Sequence, residues 1–223
     1  MDITTHSPHQ QMIYAKRLVY DLLRRLLDIQ FYSQATQDIF VSKMLSGKKQ
    51  GFFLEIGGGH PTDSNNTYLL ESRYDWNGLS LEFDESLVEL YNSARRTKAI
   101  LADATSYDYL SCLASLNAPK QIDYLSIDID PAENTYKAIL KIPHDLYRFS
   151  IITYEHDRYQ SGDKFMELSR SFLKKLGYQL VVSNLRVFGK DFEDWWIDTN
   201  AISPEVWSAF KKDGIEFSSL WLQ

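Results

Sequence analysis

The chain is short of sulfur: one cysteine, Cys112, stands in 223 residues. No intrachain disulfide can form, so a chain of this length must be held by its own apolar core. Cys112 lies in DYLSCLASL, a helical pattern that places it as a packing side chain rather than an exposed thiolate. Basic blocks are missing as well. Lysine and arginine number 24 against 30 acidic residues, for a formal net charge of −6. The pairs Arg24-Arg25, Lys48-Lys49 and Arg95-Arg96 read as solvated surface. Binding to a nucleic-acid backbone therefore has little support, and a small acceptor molecule is the expected partner. No run approaches the roughly 20 apolar residues that span a bilayer. The opening MDITTHSPHQQ lacks the basic-then-apolar order of a secretory signal. A cytoplasmic protein with no stable membrane insertion is the expectation.

What is present is a globular composition, 44% hydrophobic and 14% aromatic. The stretch from Met12 to Ile29 is leucine-rich but broken by Lys16, Arg17, Asp21, Arg24 and Arg25. It reads as an amphipathic helix, a candidate homodimer surface. A short helix is predicted over Ser33 to Leu45, so residues 1–46 form a helical extension and 47–223 the main domain. From there apolar runs alternate with helical patterns. GFFLEI, GLSLE, Lys98–Leu101, IDYLSI, FSIITY and YQLVVS read as strands, with a seventh near Trp195–Asp198. Strands alternating with helices predict an α/β fold: a Rossmann-like, doubly wound, mostly parallel seven-stranded sheet. Ligands of such sheets bind beyond the carboxyl ends of the strands, so those ends are where the chemistry should lie.

The first strand ends Glu55-Ile56-Gly57-Gly58-Gly59-His60-Pro61. Glycines here let the chain turn sharply and approach a ligand. A dinucleotide fingerprint would need a third glycine where Thr62 stands. Glu55, two places before the first glycine, would repel a pyrophosphate but suits an ammonium or sulfonium ligand. S-adenosylmethionine carries both. Strand two ends at Glu82, placed to accept two ribose hydroxyls, with Phe83 beside it to pack on adenine. Asp84 is set to cap the next helix. Asp103 and Ala104 follow strand three, where the adenine amine would be read. Asp128, Asp130 and Glu133 follow strand four, and Glu155, His156 and Asp157 follow strand five. Among these, His156 is the first candidate for a general base, oriented by Asp128 or Glu155, with a divalent metal at the same acids a further option.

The pieces SQATQD, GFFLEIGGGHP, NNTYLLE, WNGLSLEFD, DYLSIDID, YEHD and FEDWWID occur in this order between Tyr32 and Asp198. In order and spacing the chain resembles the FkbM-like methyltransferases, a branch of the class I S-adenosylmethionine-dependent enzymes. The resemblance implies a donor site of Glu55, Gly57, Gly59, Glu82 and Asp103, with Gln37, Asn66 and Thr67 at its methionine end. It also implies O-methyl transfer to a hydroxyl of a sugar or natural product. Two other readings remain open: a protein that binds the donor without transferring it, and a nicotinamide-dependent oxidoreductase.

Overall fold

A computed structural model describes residues 18–26, 28 and 30–221. Residues 18–26 are helical (α1), within the span expected for the N-terminal helix; the remainder of that span falls partly outside the described residues. The next helix, α2, runs Gln37–Met44. Then β1 (Phe52–Ile56), α3 (Tyr68–Tyr74), β2 (Asn77–Glu82), α4 (Glu85–Ala94), β3 (Lys98–Leu101) and α5 (Tyr109–Ser115) follow in turn. They lead into β4 (Gln121–Ile127), α6 (Ala132–Lys141), β5 (Arg148–Glu155), α7 (Arg158–Ser161) and α8 (Asp163–Lys175). The chain closes with β6 (Gln179–Val187), β7 (Lys190–Ile197), α9 (Pro204–Trp207) and the short β8 (Lys212–Asp213).

The sheet has eight strands in the order β3-β2-β1-β4-β5-β7-β6-β8. β1 through β5 pair in parallel, because each crossover carries a helix back over the sheet. β7 instead runs antiparallel between β5 and β6. The sequence pattern had shown only the end of this strand. Its true start is set by a two-residue turn, in which Phe188 (φ 52°) and Gly189 (φ 78°) both adopt positive φ and join Val187 to Lys190. Positive φ at both turn positions matches the twist of a hairpin. Phenylalanine-glycine is an uncommon way to write that turn, so the strand boundary was hidden.

Side chains alternate across the sheet, as a period of two requires. Trp195 and Ile197 join Phe53, Tyr124 and Ile151 on one face, where Phe40 and Met44 of α2 pack. Trp196 points the other way, with Leu54, Ile127 and Ile152, against Leu113 of α5, Ile139 of α6 and Leu173 of α8. Phe40 lies 4.5 Å from Trp195, ring to ring. Burying such a ring contributes about 1.5–3 kcal/mol. The helix before the expected boundary at residue 46 is therefore part of the core of the sheet. Helix starts follow the sequence closely. Asp84 caps α4 by accepting from the Ser86 and Leu87 amides, and Ser203 precedes Pro204 at the first position of α9. Gly162, with φ 69°, separates α7 from α8. Cys112 is half-buried on α5.

Candidate functional site

The glycine turn after β1 is built against the neighbouring strands. The Gly57 and Gly58 amides both donate to the Leu81 carbonyl, at 2.9 and 3.1 Å. Gly57 has φ 86°, and a Cβ there would sit 1.7 Å from the Asp128 carbonyl oxygen. Two loop backbones touch at this point, so only glycine fits. Gly59 is different: its φ is 53°, and nothing lies within 4 Å of the position its Cβ would take. Its amide donates to Glu82 Oε2 at 2.8 Å. Glu82 Oε1 accepts from the Phe83 and Asp84 amides at 2.7 and 2.9 Å. A carboxylate has about four acceptor sites; three are taken by backbone, leaving Glu82 rigid with capacity for one more donor.

These loops frame a cleft at the carboxyl edge of β1 to β4. One lobe, about 350 Å³, is lined by Glu82, Phe83, Asp103, Ala104 and Asn134 among others. The adjoining lobe, about 510 Å³, runs from Gly57 through His60 to Asp128 and Asp130. Phe83 borders both and is 77% exposed, a large apolar ring held out of the core. Asp103 Oδ1 accepts from the Thr105 amide and hydroxyl at 2.8 and 2.6 Å, which hold its pKa below the usual carboxylate value. Of the residues singled out in the sequence, Gly57, Gly59, Glu82, Phe83, Asp103, Ala104 and Asp128 thus come together around one cavity.

Four others do not line it. Glu55 is 1% exposed and turns inward. Its Oε1 accepts from Asn65 Nδ2 at 3.2 Å and Thr67 Oγ1 at 3.0 Å. Its Oε2 accepts from the Ser80 hydroxyl and from Tyr91 OH, the latter at 3.1 Å. Burial raises its pKa, while the Arg95 charge and these donors pull it down. Arg95 was expected on the surface but is only 3% exposed. Its guanidinium ties the Pro61 carbonyl, Asn65 and Thr67 together at 2.8 to 3.2 Å and pairs with Glu71 at 3.1 Å. Glu55 and Thr67 thus fasten the glycine turn to α3 and α4 from beneath. Gln37 is likewise committed, donating to Glu193 Oε2 at 2.6 Å and accepting from the Ala35 amide at 2.7 Å. Asn66 donates to Ser126 Oγ at 2.9 Å, and its buried Oδ1 has no partner.

The expected base is also displaced. His156 is fully buried. Its Nδ1 accepts from the Arg158 amide at 3.2 Å, and its Nε2 lies 3.4 Å from Asp194 Oδ1. Asp194 is itself clamped by Arg170 at 2.7 and 2.8 Å. The imidazole is a packing group between β5 and β7, with no face on the cleft. Carboxyls occupy the position instead. Burial pushes Asp128 up to about 6, although a hydrogen bond with Glu155 opposes the rise; Asp157, Asp130 and Glu82 add to it. Glu155 is raised well above the usual carboxylate value by burial and then by the Asp128 charge. Behind the pair, Glu193 stands opposite Glu155 in the β5–β7 register and is pushed up to about 8, chiefly by burial. Arg95 carries no motif signal, because it matters through partners distant in the chain. Among the described residues, no group of three or more His, Cys, Asp or Glu side chains is arranged to hold a metal ion. Among those same residues no helix is long and apolar enough to cross a membrane.

No family model matches this chain, and no curated protein matches its sequence. Solved structures do. The chain is similar to a Clostridium thermocellum protein named as an rRNA methylase, at 13% identity over 76% of this chain and 96% of that one, with a TM-score of 0.51. It is also similar to the METTL16 methyltransferase domain, at 10% identity over 86% of this chain and 98% of that one, with a TM-score of 0.50. At such identities the likeness establishes the fold: an α/β, Rossmann-like methyltransferase fold with a mostly parallel sheet.

Proposed function

We propose that this protein is an S-adenosylmethionine-dependent methyltransferase acting on a hydroxyl of a sugar or other small natural product, as the FkbM-like resemblance implies. One observation carries the reading: a single cleft gathers the glycine turn, the backbone-anchored Glu82, the exposed Phe83 ring and Asp103. The donor set fits the cofactor. Glu82 keeps an acceptor site for ribose, Phe83 offers a face for adenine, and Asp103 with Ala104 takes the adenine edge. When bound, the cofactor supplies an electrophilic methyl group on a sulfonium. The protein's part is to align an acceptor hydroxyl with it and to remove the hydroxyl proton. That proton is assigned to Asp128, with Glu155 beside it. His156 holds the β5 end in place instead. The pH–rate profile should keep its shape in His156→Gln and shift its acidic limb in Glu155→Gln; the reverse would restore the histidine as base.

The cleft is lined by Asp63, Glu82, Asp103, Asp128 and Asp130, with no lysine or arginine among its lining residues. That balance favours a small neutral or cationic acceptor over RNA, whose phosphates it would repel. Thermal shift with S-adenosylmethionine, S-adenosylhomocysteine, NAD and NADP tests the ligand class. At a hundredfold excess over its Kd the correct ligand adds about 2.7 kcal/mol of stability. The two sulfur compounds should raise the melting temperature and the nicotinamides should not. A shift with NAD alone would make the protein an oxidoreductase. Donor binding without methylated product, across an acceptor panel of sugars and small hydroxyl compounds, would make it a non-catalytic binder.

A further inference from the structure

The cleft leaves the methionine end of the donor without the residues expected for it, because Gln37, Asn66 and Thr67 line neither lobe. With adenine between Phe83 and Asp103 and ribose on Glu82, the rest of the donor extends along the glycine turn into the lobe of His60, Asp63, Ser64 and Asp128. That end carries an ammonium and a carboxylate. The carboxyls of Asp63, Asp128 and Asp130 suit the ammonium. The carboxylate needs hydrogen-bond donors, and the amides of the glycine turn are spent. Gly57 and Gly58 donate to the Leu81 carbonyl, and Gly59 to Glu82 Oε2. The Asp128 and Ile129 amides are committed too, to the Ile56 carbonyl and to Thr135 Oγ1. Side chains must therefore supply what these amides do not, and the lobe offers the His60 ring and the Ser64 hydroxyl.

His60 is oriented by its own loop. Its Nδ1 accepts from the Thr62 amide at 3.3 Å and from the Asp63 amide at 3.0 Å. Those bonds fix the ring beside the lobe and leave Nε2 as the nitrogen the loop does not use. A hydrogen on Nε2 makes it a donor. No other side chain lining this lobe carries a nitrogen. Resting on the methyltransferase reading above, we propose that His60 Nε2 donates to the carboxylate of the donor's methionine end. A lobe lined by acids repels a carboxylate unless a donor is aimed at it. His60 then sets a specificity: it favours a donor with an intact amino-acid end over an adenosine thioether that lacks the carboxylate.

The test uses the full chain and two ligands: S-adenosylhomocysteine, and its decarboxylated analogue, an adenosine thioether that keeps the amine. Affinities are measured by calorimetric titration. His60 is exposed, so His60→Ala and His60→Gln should both keep the melting temperature of the parent. His60→Ala should weaken S-adenosylhomocysteine about tenfold or more, the loss expected for one hydrogen bond to a charged group, and the analogue by less than about twofold. His60→Gln, whose side-chain amide can donate, should recover part of the loss. Equal losses for the two ligands would make His60 a loop-shaping residue, and unchanged S-adenosylhomocysteine affinity would remove it from the site. Either outcome overturns the inference while leaving donor binding intact. Nitrogen-15 NMR of histidine-labelled parent protein needs no variant. The His60 Nε2 signal should be that of a protonated nitrogen and should shift more with S-adenosylhomocysteine than with the analogue. A bare Nε2 in the complex also overturns the inference. If S-adenosylhomocysteine fails to bind the parent protein, the methyltransferase reading itself falls, and this inference with it.

Discussion

Phe83 is a ring held out of the core, 77% exposed in the free protein. Phe83→Ala should leave the stability of the ligand-free protein within about 0.5 kcal/mol. Loss of stacking on a base is worth about 1–3 kcal/mol, so donor affinity should fall about 5- to 150-fold by calorimetric titration. Unchanged affinity would remove the ring from the donor site. Gly57 gives the opposite signature. Gly57→Ala must move either the turn or the Asp128 loop, because its Cβ would overlap the Asp128 carbonyl. Backbone strain alone costs about 1–3 kcal/mol, so urea denaturation should show a loss of at least that size together with lost donor binding. Single residues at strand ends were legible in the sequence because a parallel sheet brings every strand end to one edge. Orientation was not legible. Glu82 and Glu55 are both acids beside the first two strands, yet one faces the cleft and the other turns beneath it toward Arg95.

Among the elements, α3 and α4 are fastened to β1 by one buried cation. Arg95 bridges the Pro61 carbonyl, Asn65, Thr67 and Glu71, its charge acts on Glu55, and its guanidinium also lies 4.7 Å from the Tyr91 ring centroid. Arg95→Met would leave two buried carboxylates without their counter-charge. Breaking a buried pair in this way costs about 3–5 kcal/mol. Chemical denaturation should show that loss, and a variant within 1 kcal/mol of the parent would mean the network is dispensable. The sequence presented Arg95 as half of a surface pair, since periodicity near a helix end cannot tell a solvated arginine from an inward one. The hairpin of β6 and β7 was similarly understated, its turn being written with phenylalanine and glycine.

At the scale of the whole molecule, the interior holds acids whose pKa values are raised by burial: Asp38 and Asp128 to about 6, and Glu193 to about 8. Their unfolded values lie near 4. Between those limits the folded state binds more protons than the unfolded one, so stability falls as pH rises through the window. His144 acts in the other direction below its ordinary value of 6.5, because burial lowers its pKa. Above about pH 6.5 only the decline remains. The melting temperature should therefore drop from pH 6.5 to 8.5, and Glu193→Gln should flatten the slope. A flat parent curve would show that Glu193 does not titrate there.

The sequence by itself determined the alternation of strands and helices, the edge at which the site lies, and the residue types at that edge. It could do so because periodicity and turn chemistry are local and the crossover rule for parallel strands is general. Tertiary structure alone decided which acids face the cleft. It buried His156 between strands, turned Glu55 inward, and set Glu155 beside Asp128. Those outcomes depend on partners far apart in the chain, whose charges and hydrogen bonds meet only when the sheet is assembled.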